Sequence, residues 1–285
     1  EGLRRLESRG YDSSGIVVKN GSLQVHKKVG NVSELSKILP NHVEGCSGIA
    51  HTRWSTHGGV TDANAHPHTS NDGKIALVHN GIINNAKGLR RRLEDRGFEL
   101  KSETDSEALV HMISIGIDSG QTPLESVRET LRRVTGTWGL CVIFKEYDVI
   151  VCARNGSPLI LGKGKSESFV SSEPHTLTQY TRDHYILEDG DLATLTKDGI
   201  DISRLEGGIS STSMTVFEDD WGEPDMAGYP HYMLKEIHEQ PDAIRRCISG
   251  RLDPANGSAT LGGLKLEPIR LRTASHVRLI GCGTA

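Results

Sequence analysis

Residues 51–57 read His-Thr-Arg-Trp-Ser-Thr-His and place a guanidinium, an indole, hydroxyls and two imidazoles within one short stretch. Arg53 can hold a carboxylate through two parallel charge-assisted hydrogen bonds, and Trp54 beside it offers a flat apolar wall. Together they suit a small zwitterion. The plainer alternative makes Trp54 a core anchor and Arg53 a surface ion-pair partner. Further along, Asn80-Gly81 sets a side-chain amide next to an unshielded backbone N–H, the donor pair of an oxyanion hole. Asn-Gly is also the commonest hairpin signal, so an ordinary turn is the competing expectation. Asp105 can receive an ammonium or simply complement a helix dipole. In Asn64-Ala65-His66-Pro67-His68 two imidazoles flank a proline. No carboxylate or cysteine lies at a ligand spacing nearby, so positioning is favoured over metal ligation.

Composition restricts the partners. The 285 residues exceed one typical domain, and a formal net charge of -4 with 25% charged residues argues against a partner held by nucleic-acid phosphates. The longest apolar runs, at 75–78 and 149–153, are strand-sized and far short of the roughly 20 residues of a membrane span. Five cysteines (Cys46, Cys141, Cys152, Cys247 and Cys282), odd in number and without a Cys-x-x-Cys pair, suggest neither disulfides nor a zinc knuckle. The expectation is a cytoplasmic protein without membrane contact, its cysteines buried as small hydrophobes.

The elements that must position these residues follow from local pattern. A helix bearing Leu3 and Leu6 is expected to close at Gly10 as a left-handed cap, followed by a strand at 15–19, an Asn20-Gly21 turn and a return strand at 22–28. Asn31 and Glu34 predict a short capped helix to residue 39. A strand at 46–51 then delivers the 51–57 cluster onto a loop. A strand at 74–79 is expected to stop at Asn80-Gly81, and the helix at 84–97 to carry Arg90, Arg91 and Arg92 on a solvated face. Thr104 and Glu107 read as a capping box opening a helix to about residue 119, with Asp105 in its first turn. A second amphipathic helix spans 123–134. Strands follow at 138–144, 149–153, 159–162, 169–171, 185–187 and 191–196, and Gly162-Lys163-Gly164-Lys165 reads as a charged hairpin rather than a phosphate loop. Strands, helices and strands again fit an α+β fold of antiparallel sheets covered by helices.

These signals, in this order, resemble the glutamine:fructose-6-phosphate aminotransferase (isomerizing) family. The carriers are His-Thr-Arg-Trp-Ser-Thr-His-Gly, Asn-Ala-His-Pro-His, Val-His-Asn-Gly-Ile-Ile, Ser-Glu-Thr-Asp-Ser-Glu, Gly-Ser-Pro-Leu, Glu-Asp-Gly-Asp and the opening Glu-Gly-Leu-Arg-Arg-Leu-Glu-Ser-Arg-Gly-Tyr-Asp-Ser. The Trp after Arg53 separates this family from the amidophosphoribosyltransferases, where Tyr is expected. The resemblance implies an N-terminal-nucleophile hydrolase domain of αββα layers, in which a terminal cysteine attacks the glutamine amide to form a thioester and release ammonia. It assigns Arg53 to the glutamine α-carboxylate, Asp105 to its α-ammonium, Asn80 and Gly81 to the oxyanion, and Trp54 to the ammonia passage. Thr56 and His57 share the substrate loop, and Arg9 borders the nucleophile. No metal or redox cofactor is implied.

Residue 1 is Glu, so the nucleophilic Cys of a Cys-Gly-Ile-Val-Gly-type opening is missing from the sequence, which reads as a fragment inactive as it stands. The expected organisation is a glutaminase domain at 1–212, a linker at 213–230 and the start of a sugar isomerase (SIS) domain at 231–285. There Gly281-Cys282-Gly283-Thr284 begins a sugar-phosphate loop, with Thr284 as its hydroxyl. The expected partners are L-glutamine and fructose 6-phosphate, with a homo-oligomer formed through the isomerase domain. The expected product is glucosamine 6-phosphate. The alternative is a binding module that holds glutamine or a partner chain without cleaving it.

Overall fold

The structure, a computed structural model, describes residues 1–55, 58–217, 227–249, 252–253, 258–259, 273, 275–276 and 278. It divides into two compact units, Glu1–Pro224 and Asp225–Ala285.

In the first unit, α1 (Gly2–Leu6) runs into a 3₁₀ turn at Glu7–Arg9. Gly10 is extended rather than left-handed. Its lack of a side chain serves packing instead, since a Cβ there would lie 2.8 Å from the Arg53 carbonyl carbon. β1 (Ser13–Asn20) and β2 (Ser22–Val29) form the expected hairpin, turning at Gly21 with φ 64°. α2 (Val32–Ile38) is capped by Asn31, whose side chain accepts from Glu34 N. β3 (Ser47–Arg53) is longer than its sequence pattern suggested. β4 (His68–Thr69) and β5 (Ile75–Ile83) precede α3 (Ala86–Glu94), α4 (Ser106–Asp118) and α5 (Pro123–Leu131). The chain continues through β6 (Gly136–Phe144), β7 (Ile150–Asn155), β8 (Ile160–Lys163), β9 (Ser168–Ser171), β10 (Asp183–Ile186), β11 (Asp191–Leu195), β12 (Ile200–Arg204) and β13 (Thr215–Val216).

Every ladder pair is antiparallel. The strands build a six-stranded sheet (β12-β11-β7-β6-β5-β4), a three-stranded one (β2-β1-β3) and a four-stranded one (β13-β10-β8-β9). The central strands of the large sheet are buried on both faces, and the period of two sorts their side chains. Ile75 and Leu77 of β5, with Leu140, Val142 and Phe144 of β6, pack under α3, α4 and α5. The alternate residues Ala76, Val78, Cys141 and Ile143 face Val17, Ile49, Leu159 and Leu161 of the smaller sheets and the β7–β8 turn. α1 and α2 pack on β1, β2 and β3. The order of layers is therefore helix, sheet, sheet, helix. Truncating a fully buried member such as Leu77 to alanine would cost about 2–5 kcal/mol.

The second layer is split. Among the described residues β3 pairs only with β1, and β9 only with β8, leaving two sheet edges that face a cavity of about 620 Å³. Its walls include Gly48–His51 backbone, Ile16, Leu35, Val78, Leu159 and Val170. It reaches His51 and Asn80 at one end.

In the second unit α6 (Tyr232–Ile248) starts at His231, whose Nδ1 accepts from Leu234 N at 3.2 Å, and it continues through Pro241. Leu252–Asp253 pairs with Ser258–Ala259. The sugar-phosphate loop expected at 281–284, including Thr284, lies outside the described residues. Residues 215–216, within the expected linker, pair with β10 of the first unit.

Candidate active site

His51 and Arg53 stand on the end of β3 rather than on a loop, with Trp54 next in line. Gly15↔His51 and Ser13↔Arg53 pairing with β1 fixes their direction. The backbone beyond is pinned by Asp12, whose N–H donates to Arg53 O at 3.1 Å and whose Oδ2 accepts from Ser55 N at 2.8 Å. Arg53 is 5% exposed, and its Nη1 donates to Gly59 O at 3.3 Å. Burial lowers its pKa, while Asp12 and then Asp105 act to keep it charged. Gly59 N and Asn64 Nδ2 donate to Glu103 Oε2 at 3.0 and 3.1 Å, tying the loop after β3 to the segment before α4. Those bonds hold the Glu103 carboxyl below the usual range. Thr56 and His57 lie outside the described residues. Trp54 is 53% exposed and meets the ring of Tyr11 edge-on at 5.6 Å, which rules out a core anchor.

Asn80-Gly81 is neither a hairpin turn nor the end of a strand. β5 carries on to Ile83 in register with β6, pairing Asn80 with Gly139 and Gly81 with Trp138. Gly81 has φ 140°, and a Cβ there would sit 2.1 Å from Thr137 O and 3.0 Å from His79 Nε2. Only glycine fits. Asp105 is the N-cap residue of α4 rather than part of its first turn, and it makes no side-chain cap bond. Its Oδ2 instead accepts from Ile83 N at 2.8 Å and its Oδ1 from Ser106 Oγ at 3.2 Å, so the carboxylate bridges β5 and α4.

The expected Thr104–Glu107 capping box does not form. Glu107 turns back to accept from Lys101 N, Ser102 N and Ser102 Oγ at 2.6, 2.9 and 2.8 Å. Against the penalty of burial, His111 and these donors bring its pKa down to about 2. The capping box appears one helix later, between Thr122 and Glu125. Arg90, read from sequence as solvated, is half-buried and donates to Thr104 O at 2.7 Å and Ser102 O at 2.6 Å. It braces the loop that presents Asp105. A run of three arginines gives no sign of which one turns inward.

Behind the site lies a group of buried histidines. His51 stacks on His66 at 4.4 Å, and His66 meets His68 edge-on at 4.7 Å. His66 Nδ1 accepts from His79 N, and His68 Nε2 bonds Thr104 Oγ1 at 2.9 Å. Lys27 Nζ donates to the carbonyls of Ala63, Ala65 and Pro67, holding their loop in place. Desolvation dominates here, lowering His51 to about 4 and His68 to about 3 and holding His66 well below its usual value. The rings are neutral scaffolding. Among the described residues no group of His, Cys, Asp and Glu is arranged to hold a metal ion.

One cavity of about 260 Å³ gathers Arg53, Trp54, Asn80, Gly81 and Asp105, with Arg9, Thr104, Ser106, Ser157 and Ser172 at its walls. Arg9 pairs with Glu173. No described cysteine lines this cavity: Cys46 and Cys247 are exposed, contrary to the expectation that all are buried, while Cys141 and Cys152 face each other in the core.

Residues 51–179 match the glutamine amidotransferase domain family. Isomerizing glutamine–fructose-6-phosphate aminotransferases of Thermus thermophilus, Symbiobacterium thermophilum and Methanosarcina mazei are 44%, 42% and 39% identical across the whole of this chain. The chain is similar to those aminotransferases along its whole length, and its residues 51–179 carry the glutamine amidotransferase domain. It spans about half the length of these curated family members, 46%, 47% and 48% respectively. Among solved structures, glutamine phosphoribosylpyrophosphate amidotransferase from B. subtilis, complexed with ADP and GMP, aligns with a TM-score of 0.60 at 27% identity. That alignment covers 73% of this chain and 46% of the other. A glutamine aminotransferase class-II domain protein from Silicibacter pomeroyi shares the fold at 16% identity and a TM-score of 0.51, over 67% of this chain and 90% of that one. The chain therefore has the class-II glutamine amidotransferase fold.

Proposed function

We propose that the first unit is the glutamine-binding part of an enzyme that frees ammonia from L-glutamine and passes it to fructose 6-phosphate, giving glucosamine 6-phosphate. The carrying observation is the single small cavity that gathers a guanidinium, a carboxylate and an amide beside an obligate glycine. Arg53 takes the α-carboxylate, a match for its planar fork. Asp105 takes the α-ammonium, for which its carboxylate retains acceptor capacity beyond the bonds to Ile83 and Ser106. Asn80 Nδ2 and Gly81 N–H stabilise the oxyanion formed when a thiol adds to the side-chain amide. The amide nitrogen leaves as ammonia, and water then cleaves the thioester. Trp54, in the cavity wall, gates the passage of ammonia, Arg9 borders the thiol, and Thr56 and His57 take part in glutamine binding.

The thiol belongs to an extended segment lying between β3 and β9. Both edges there lack a strand partner among the described residues, the cavity between them is largely apolar, and Leu6, His51, Asn80 and Ser172 line both it and the glutamine cavity. A strand in that slot brings its end to Asn80-Gly81. The second unit, by the same reading, opens an isomerase (SIS) domain through which the parent enzyme assembles as a homo-oligomer, and Thr284 contributes to its sugar-phosphate loop. A form of the enzyme that lacks this thiol should not hydrolyse glutamine. The test is to place a Cys-Gly-Ile-Val-Gly-type segment ahead of Glu1 and measure glutamate and ammonia release. The Cys-headed form should hydrolyse glutamine and the Ala-headed form should fold without turnover. Hydrolysis by the unextended chain, abolished by Cys46→Ala, would instead make an internal thiol the nucleophile.

A further inference from the structure

We infer that Asn64 and Glu103 are positioning residues, a clamp outside the 260 Å³ cavity that sets how Arg53 and Asp105 stand relative to each other and so fits the cavity to the two charges of an α-amino acid. The consequence for glutamine rests on the function proposed above, whereas the clamp itself does not. Neither side chain lines the cavity, so each acts through Arg53 and Asp105 rather than on a ligand.

Arg53 Nη1 donates to Gly59 O at 3.3 Å, and that carbonyl also accepts from Asn64 Nδ2 at 2.9 Å. The same Nδ2 donates to Glu103 Oε2 at 3.1 Å, which takes Gly59 N at 3.0 Å as well. Glu103 N closes the circuit by donating to Asn64 Oδ1 at 2.8 Å. The Asn64 amide can face only one way here, because a backbone carbonyl only accepts and a backbone N–H only donates. Both Nδ2 hydrogens and the oxygen are used, in a residue that is 2% exposed. Glu103 stands two residues before Asp105, and Arg90 donates to the carbonyls on either side of it, those of Ser102 and Thr104, at 2.6 and 2.7 Å. The clamp thus joins the backbone that carries Asp105 to the carbonyl against which the Arg53 guanidinium rests.

Gly58 is shaped to the same contact. Its φ is 73°, and a Cβ there would lie 2.8 Å from Asn64 Nδ2 and 2.9 Å from Glu103 Cβ. The near side of the loop is held elsewhere, by Asp12 accepting from Ser55 N and by Ser55 Oγ donating to Gly58 O at 3.0 Å, while the clamp holds Gly59 to the α4 side. The carboxylate and ammonium of an α-amino acid hang on one carbon, so the groups that receive them must keep a fixed spacing. A guanidinium and a carboxylate already held at that spacing lose little freedom on binding. Without the clamp Arg53 keeps its charge and its fork but not its place, a loss that falls on binding rather than on the chemical step.

Guanidinium ¹³C–¹⁵N spectra of the chain as it is, labelled in arginine and with Arg53 identified by its loss in Arg53→Lys, read the clamp without a ligand. Separate Nη1 and Nη2 signals are expected in the wild type and in Glu103→Gln, whose amide oxygen can accept from Gly59 N and Asn64 Nδ2. One averaged signal is expected in Glu103→Ala, a truncation that spares the core because Glu103 is exposed. Averaging in the wild type, or separate signals in Glu103→Ala, overturns the inference. In the form headed by cysteine, Glu103→Ala should raise the glutamine KM about tenfold with kcat within about twofold, and Glu103→Gln should keep KM within about threefold of the wild type. An unchanged KM in Glu103→Ala, a fall in kcat as large as the rise in KM, or no advantage of Gln over Ala refutes the positioning role. A cysteine-headed wild type without hydrolysis counts against the proposed function, and the clamp is still decided by the spectra.

Discussion

Lowering the pH from 7.5 to 5 should destabilise the first unit through its buried histidines, before its carboxylates begin to titrate. The folded pKa of His51 is lowered from 6.5 to about 4 and that of His68 to about 3. Between those values and 6.5 the unfolded chain binds protons that the folded chain refuses, so stability is fully present above 6.5 and is lost as pH falls toward the folded values. Carrying each group from pH 7.5 to pH 5 removes about 2 kcal/mol, or about 4 kcal/mol for the pair, and His66 adds to this with the same sign. That is a large share of the roughly 5–15 kcal/mol of a typical domain. Glu107, brought down to about 2, acts in a lower window beneath its unfolded value of 4.5 and leaves this interval to the histidines. Urea denaturation followed by tryptophan fluorescence at a series of pH values measures the effect. A midpoint that does not move between pH 7.5 and pH 5 would show that the rings can charge inside the fold, and the neutral-scaffold argument would fall.

Other perturbations test individual parts. Gly81→Ala should cost more than about 3 kcal/mol, since its Cβ overlaps the Thr137 carbonyl, and thermal melting would reveal a tolerant site if there is no loss. Arg90→Met should cost about 2–4 kcal/mol by leaving two carbonyls and Glu107 without its guanidinium. Hydrogen exchange should then rise first at residues 101–105. Thiol labelling of the native chain, read by peptide mass, should modify Cys46 and Cys247 quickly and spare Cys141 and Cys152, whose protection ends only on unfolding.

Much of the site was legible because its residues are adjacent in sequence: Arg53 with Trp54, and Asn80 with Gly81. Local signals also served well where the short-range chemistry decides the structure, as in the Asn31 cap and the Asn20-Gly21 turn. What escaped was set by distant partners. Asn80-Gly81 reads as a turn, yet β6 alongside keeps it in a strand. Thr104 and Glu107 have capping-box spacing, but Glu107 is taken by the amides of 101 and 102. Arg90 looks like its neighbours until α3 packs against the loop before α4. β12 escaped because its two apolar and three polar residues are half-buried or exposed, a weak pattern beside β11. The brace from Lys27 to the carbonyls of the 63–67 loop has no sequence signature.

The proposed role of the 260 Å³ cavity is to recognise a free amino acid through Arg53 and Asp105. Saturation-transfer NMR on the chain as it is, with L-glutamine as the observed ligand, tests it most directly because it reads weak binding without turnover. L-glutamine should receive saturation in the wild type and lose it in Arg53→Lys, which keeps the charge but not the bidentate fork, and in Asp105→Asn, provided both variants remain folded. Equal saturation in the wild type and in both variants would contradict the account, by placing glutamine away from these two side chains.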